Sequence, residues 1–167
     1  MTDHRLFLYL GCKYGDDWDD LTSVIVVAST EYSTSYAVNN LKSAGGNPWH
    51  SKNGEQWITF QFSSDVSLAG FRTKAPNRWD GGHFNEFSFE YSTDGGSNWV
   101  KFYEGHGTNL DCCDWETFIF GTAYTLASTY RLSMKNNHGY STFIVLQQLE
   151  LLHCESSNSI VYISFRI

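Results

Sequence analysis

The strongest constraint on what this chain can fold into is a hydrophobic period of two. Phe87, Phe89 and Tyr91 alternate with Ser88 and Glu90, while Ile58, Phe60 and Phe62 alternate with Thr59 and Gln61. Tyr130, Leu132 and Met134 alternate in the same way with Arg131, Ser133 and Lys135. Successive side chains of a strand point to opposite faces, so each run predicts a strand with one dry face and one wetter face. Further strands are expected at 23–28, 66–74, 99–103, 115–120, 143–152 and 160–167, with helix confined to a short piece at 37–42. Gly45-Gly46-Asn47-Pro48, Gly81-Gly82, Asp94-Gly95-Gly96 and Asn137-His138-Gly139 punctuate these runs as turns. Many short strands with such punctuation predict an all-β sandwich or barrel, and 167 residues suit one domain.

Aromatic side chains make up 17% of the chain, more than a core of this size needs, so a surplus on loops would suit a stacking surface. The net charge of −7 repels phosphate backbones and anionic lipid, which argues against nucleic acid and against a membrane as partner. No apolar run approaches the ~20 residues of a membrane span. The apolar stretch from Leu6 to Leu10 is shorter than the roughly 7–15 residues of a signal-peptide core, so no export signal is expected within these residues. Asp16, Asp17, Asp19 and Asp20 read as a solvated acidic lead-in.

Cys12, Cys112, Cys113 and Cys154 contain no CxxC, and an adjacent pair is poor geometry for holding one zinc ion. Cys12 and Cys154 flank most of the chain, which leaves two readings open: a disulfide stapling the domain's ends, or reduced thiols throughout. No GxSxG elbow, HExxH, P-loop or GxGxxG occurs, and no local signature selects a catalytic triad. The expectation is binding without catalysis.

Three stretches carry a family likeness: Ala28-Ser29-Thr30-Glu31; Pro48-Trp49-His50-Ser51 followed by Gln56-Trp57-Ile58; and Glu90-Tyr91-Ser92-Thr93-Asp94-Gly95 leading to Trp99. With the closing Leu149-Glu150-Leu151 they run in the right order from Val27 to Leu152. This span resembles the discoidin family, or coagulation factor 5/8 type C domain, and within it the galactose-binding carbohydrate-binding modules of family 32. The resemblance implies a jelly-roll β-sandwich, which agrees with the period-two reading. Residues 22–154 would form the domain, 1–21 a lead-in, and 155–167 a tail whose alternation suits an extra strand or self-association.

The resemblance also implies a site on the loops at one end of the sandwich, binding galactose or N-acetylgalactosamine-type glycans. Matched residue by residue, its carbohydrate contacts would be Glu31, His50, Arg78, Asn85 and Tyr140, with Phe143 second to Tyr140; Trp79 and His83 are neighbours by their place in the same loop as Arg78, not by the family pattern. Arg78 and His50 would donate to ring hydroxyls, Asn85 would donate and accept, and Tyr140 would cover the apolar C–H patch of the sugar. The Asp94-Gly95 hairpin with Trp99 is expected to be structural, and Trp57 is expected in the core rather than the site. The loop from Gly105 to Trp115 would supply another wall.

Many relatives hold a structural calcium, but Lys42 stands where an acidic ligand is expected, and that disfavours the ion. Glu150 remains a weak candidate ligand. Alternative functions of the same fold are phospholipid-membrane binding and protein–protein interaction. The family implies an extracellular or cell-surface setting and adhesion, and weak single-site binding implies multivalent use, with homo-oligomers expected.

Overall fold

The alternating runs form antiparallel strands organised about one long strand. The computed structural model describes residues 12–14, 24–42, 46–77, 81–120, 126–139 and 142–154. In chain order the strands are β1 (Cys12–Tyr14), β2 (Ile25–Ala28), β3 (Trp49–His50), β4 (Gln56–Lys74), β5 (Glu86–Ser92), β6 (Val100–His106), β7 (Trp115–Ile119), β8 (Leu126–Met134), β9 (Val145–Leu146) and β10 (Gln148–Cys154). Two 3-10 turns, Thr34–Tyr36 and Val38–Lys42, stand where a short helix was expected.

The strands expected at 58–62 and 66–74 are a single β4. Its first half pairs with β2 and β8, its second half with β10 and β7, and its register against β8 breaks between Gln61 and Val66. Ser63-Ser64-Asp65 offers neither Gly nor Pro to end the strand, so the chain turns the corner through an irregular bulge. One layer is therefore β2-β4-β8-β5-β6 and the other β1-β10-β4-β7, an all-β sandwich joined by β4. The run expected at 143–152 instead splits at Gln147 into β9, which pairs with β3, and β10, which lies beside β4.

The lead-in contributes more than expected, because β1 pairs with β10 and sets Cys12 opposite Cys154 in the ladder. The tail, with its expected strand at 160–167, lies outside the described residues.

Among the described residues most aromatic side chains are buried in the interior or packed against it. Phe71 sits at its centre, with ring centroids 4.7 Å from Phe118, 5.1 Å from Phe89, 5.4 Å from Phe87 and 5.9 Å from Phe120. Phe60, Phe71, Phe84, Phe89 and Trp49 are all fully buried. Trp57 departs from expectation. It lies out of phase with the buried Ile58 and Phe60, so the pleat turns it to the outer face, where it is 37% exposed.

The Asp94 hairpin is structural, as its sequence implies. The Asp94 carboxylate accepts from the Ser92 hydroxyl, the Ser97 and Asn98 amides and the Asn98 side chain. These bonds, that of Ser92 foremost, hold its carboxyl well below the usual range. Arg131 lies 4.1 Å over the Trp99 ring beneath this turn.

Gly107 marks a close approach at the other end. Its amide donates to the Asn85 carbonyl at 2.6 Å, and a Cβ there would sit 2.4 Å from the Phe84 carbonyl oxygen. Gly107→Ala is therefore expected to cost about 1–3 kcal/mol, since backbone must give way. A chemical-denaturation midpoint unchanged by this substitution would contradict that close fit.

Candidate functional site

Both ends of β4 lie at the same end of the sandwich, and the loops there are stitched together by backbone hydrogen bonds. Ala75 donates to Asp114, Gln147 to Lys74, Val145 to Gly82, His138 to Gly81 and Asn85 to Asn136, all at 2.9–3.0 Å. The joined loops form a crown whose members are far apart in sequence.

Gln56, 2% exposed, fastens one side of that crown. Its side-chain oxygen accepts from the Ser29 and Thr30 hydroxyls at 2.7 and 2.6 Å, and its amide nitrogen reaches the carbonyls of Lys52, Asn53 and Gly54. Ser51 fastens the other: its amide donates to the Ile144 carbonyl, and its hydroxyl accepts from the Ile144 amide at 2.8 Å. With His50 paired to Val145 across β3 and β9, this sets Phe143 beside His50.

His50 is 6% exposed, held among rings. Its ring centroid lies 4.9 Å from Tyr32, 4.9 Å from Phe143 and 5.9 Å from Tyr36. The Nδ1 atom lies 2.8 Å from the Ser51 carbonyl, an oxygen that can only accept, so Nδ1 carries the proton. Tyr32 is 57% exposed and flanks the imidazole on the solvent side. A broad aromatic wall beside an oriented imidazole suits a neutral ligand that has hydroxyls on one side and an apolar face on the other.

Glu31 serves this site indirectly, because its Oε1 accepts from the Val38 amide at 2.7 Å and ties down the 3-10 turn next to Tyr36. Asn40 and Asn47 both donate to the Ser35 carbonyl, fixing the same turn. Asn85 lies in the crown, half-buried, with its backbone bonded to Asn136 and Gly107. Arg78, Trp79 and Tyr140 lie outside the described residues.

His83, expected near the ligand, is 2% exposed and faces inward. Its Nε2 lies 2.7 Å from the Thr73 hydroxyl, its ring stacks on Phe84 at 4.3 Å, and its Nδ1 is buried without a hydrogen-bond partner, 4.0 Å from a Glu116 oxygen. Burial, and then the charge of His138, lowers its pKa to about 4. A core position follows from the inward phase of Thr73 and Phe84, which the loop-like sequence around it conceals.

Glu150 is 3% exposed, ion-paired with Arg72 and hydrogen-bonded to Gln148, so its charge is already matched. Lys42 donates to the Val24 carbonyl at 3.1 Å, which puts a cation at the start of β2. Among the described residues no cluster of three acidic, His or Cys side chains could hold a metal ion. Cys112 and Cys113 are joined as a disulfide, so the reading of four reduced thiols fails for this pair.

Tyr32 and Tyr36 escaped the sequence reading, which sought its aromatic near the last strand. The signal was present: Glu31-Tyr32-Ser33-Thr34-Ser35-Tyr36 sets two large rings among small polar residues with no strand period, where a buried position is unexpected.

The family profile described as "F5/8 type C domain" matches residues 23–146. The chain belongs to that family. Solved structures agree on the fold. An F5/8 type C domain of a Bacteroides fragilis protein aligns at 14% identity over 87% of this chain and 98% of its own, with a TM-score of 0.68. The module CpGH89CBM32-5 of Clostridium perfringens, solved with GalNAc-β-1,3-galactose, aligns at 19% identity over 77% and 94%, with a TM-score of 0.64. A chitosan-binding module from a chitosanase/glucanase of Paenibacillus sp. IK-5 aligns at 17% identity over 76% and 92%, with a TM-score of 0.59. No curated protein matches the chain.

Proposed function

We propose that this domain binds carbohydrate without catalysis, through the crown around His50, and that its ligands are galactose or N-acetylgalactosamine-type glycans. The observation that carries the reading is the exposed Tyr32 ring set beside the tautomerically fixed imidazole of His50, with Phe143 against both, 4.9 Å from the imidazole and 6.2 Å from Tyr32. The apolar C–H face of a galactose ring would lie on Tyr32 or Phe143, while the His50 side and the Arg78 and Asn85 positions meet its hydroxyls. Arg78 and Tyr140 enter by their match to the family pattern alone. Related modules solved with GalNAc-β-1,3-galactose and named for chitosan support sugar as the ligand class. The galactose preference rests on the match of the His50, Arg78 and Asn85 positions to the family pattern.

Membrane insertion by loop spikes fits less well. Among the described residues the exposed aliphatic side chains Ile25, Val27, Val100, Ile119 and Leu126 belong to strands, and the crown offers Tyr32. The reading requires no metal, and it includes a Cys12–Cys154 staple, supported by their opposition across β1 and β10. One such site would bind in the millimolar to micromolar range, roughly −4 to −8 kcal/mol, so several copies acting together would serve adhesion.

A glycan array run with calcium and with chelator tests this directly. Signal on galactose-terminated glycans, unchanged by chelator and lost in His50→Ala, is expected. An array without any glycan signal, alongside pelleting with phosphatidylserine vesicles, would transfer the function to membranes.

A further inference from the structure

We propose that the Cys112–Cys113 pair is a reversible thiol–disulfide exchange site for dithiol reductants, and that its reduction releases the 107–114 loop from the loop following β4. The two sulfurs bridge neighbouring residues whose Cα atoms are 3.8 Å apart, and both residues are exposed, so a reductant can reach them. Among the described residues Cys113 is the one non-glycine with positive φ, at 72°. A side chain with a Cβ rarely holds that conformation unless something beyond the backbone imposes it, and the eight-membered ring closed by the disulfide does so.

The constraint is transmitted one residue further. The Asp114 amide reaches back to the Asp111 carbonyl at 3.3 Å, closing the turn, and the Asp114 carbonyl accepts from the Ala75 amide at 2.9 Å. Ala75 is 2% exposed and opens the Ala75-Pro76-Asn77 segment. The disulfide therefore sets the direction of the carbonyl that anchors this segment.

In the exchange, one thiolate of the dithiol attacks either sulfur, and the other sulfur leaves as a thiolate and takes up a proton. The second thiol of the reductant then attacks the mixed disulfide and frees the remaining cysteine. The reductant ends as its own disulfide, and two electrons and two protons have passed to Cys112 and Cys113. With the ring open, Cys113 relaxes to negative φ, the turn unwinds, and the bond from Ala75 to Asp114 loses its support.

The inference stands on loop geometry and does not require the glycan reading. Peptide-level alkylation with iodoacetamide, before and after dithiothreitol, and amide hydrogen exchange at Ala75 test it together. Neither cysteine should be alkylated before reduction and both should be afterwards, with exchange at Ala75 about tenfold faster in the reduced protein. The Cys112→Ser/Cys113→Ser double variant should exchange equally fast at Ala75 without reductant, and it leaves Cys12 and Cys154 untouched. Alkylation of both residues in the unreduced protein, or protection at Ala75 unchanged by reduction and in the double variant, would overturn the proposal.

Discussion

Phe71→Ala should lower the unfolding free energy by about 3–5 kcal/mol, the range for truncating a fully enclosed aromatic ring. Phe71 is 0% exposed and packs against Phe84, Phe87, Phe89, Phe118 and Phe120. Those rings come from strands of both layers and from the segments flanking them. The cavity could close only if strands moved, and the antiparallel ladders from β4 to β7 and from β5 to β8 resist that movement. Total stabilities of single domains run about 5–15 kcal/mol, so this one change would remove a large fraction. Urea unfolding followed by tryptophan fluorescence checks it. A loss below about 1 kcal/mol would mean that the ring cluster is not the centre of the core.

The second large effect is acid destabilisation through His83. Its folded pKa is about 4 against 6.5 for the free side chain, so the neutral imidazole is the form the fold accepts. The unfolded chain takes up a proton at a higher pH than the folded one. Stability from this residue is therefore complete above pH 6.5, declines as pH falls through that value, and levels off below about pH 4. The full span corresponds to about 3 kcal/mol. Burial is the larger cause and the charge of His138 acts in the same direction, with Glu116 lying 4.0 Å from Nδ1. His83→Gln, which keeps a hydrogen-bonding group toward Thr73, should flatten the pH dependence of the denaturation midpoint between pH 6.5 and 4. Parallel curves for the two proteins would contradict the burial argument.

Strand positions were legible because the pleat writes its period directly into the sequence. Phe87, Phe89, Leu132 and Met134 all face inward as their alternation requires. The same period would have placed Trp57 outside, but its family motif drew it toward the core. The corner in β4 was hidden because a bulge at Ser63-Ser64-Asp65 needs no special residue and reads as a break.

The candidate site was legible only in part. His50 and Phe143 are brought together as neighbours, while His83 is sealed inside. Tyr32 reaches His50 because Gln56 gathers residues 29–30 to 52–54, a contact between distant polar side chains that leaves no periodic trace. Glu31 resembles a ligand acceptor in sequence, yet its carboxylate caps a backbone amide, a role that depends on where the 3-10 turn folds back.

The central claim is that sugar lodges at this crown. Its most direct test is a galactose titration followed by amide chemical shifts in an NMR spectrum of the intact chain. The account predicts saturable shifts concentrated at Tyr32, Tyr36, His50, Ser51 and Phe143, with the Asp94–Asn98 turn at the far end of the sandwich unmoved. Saturable shifts gathered at that far turn, or none anywhere at sugar concentrations well beyond the millimolar range, would contradict it.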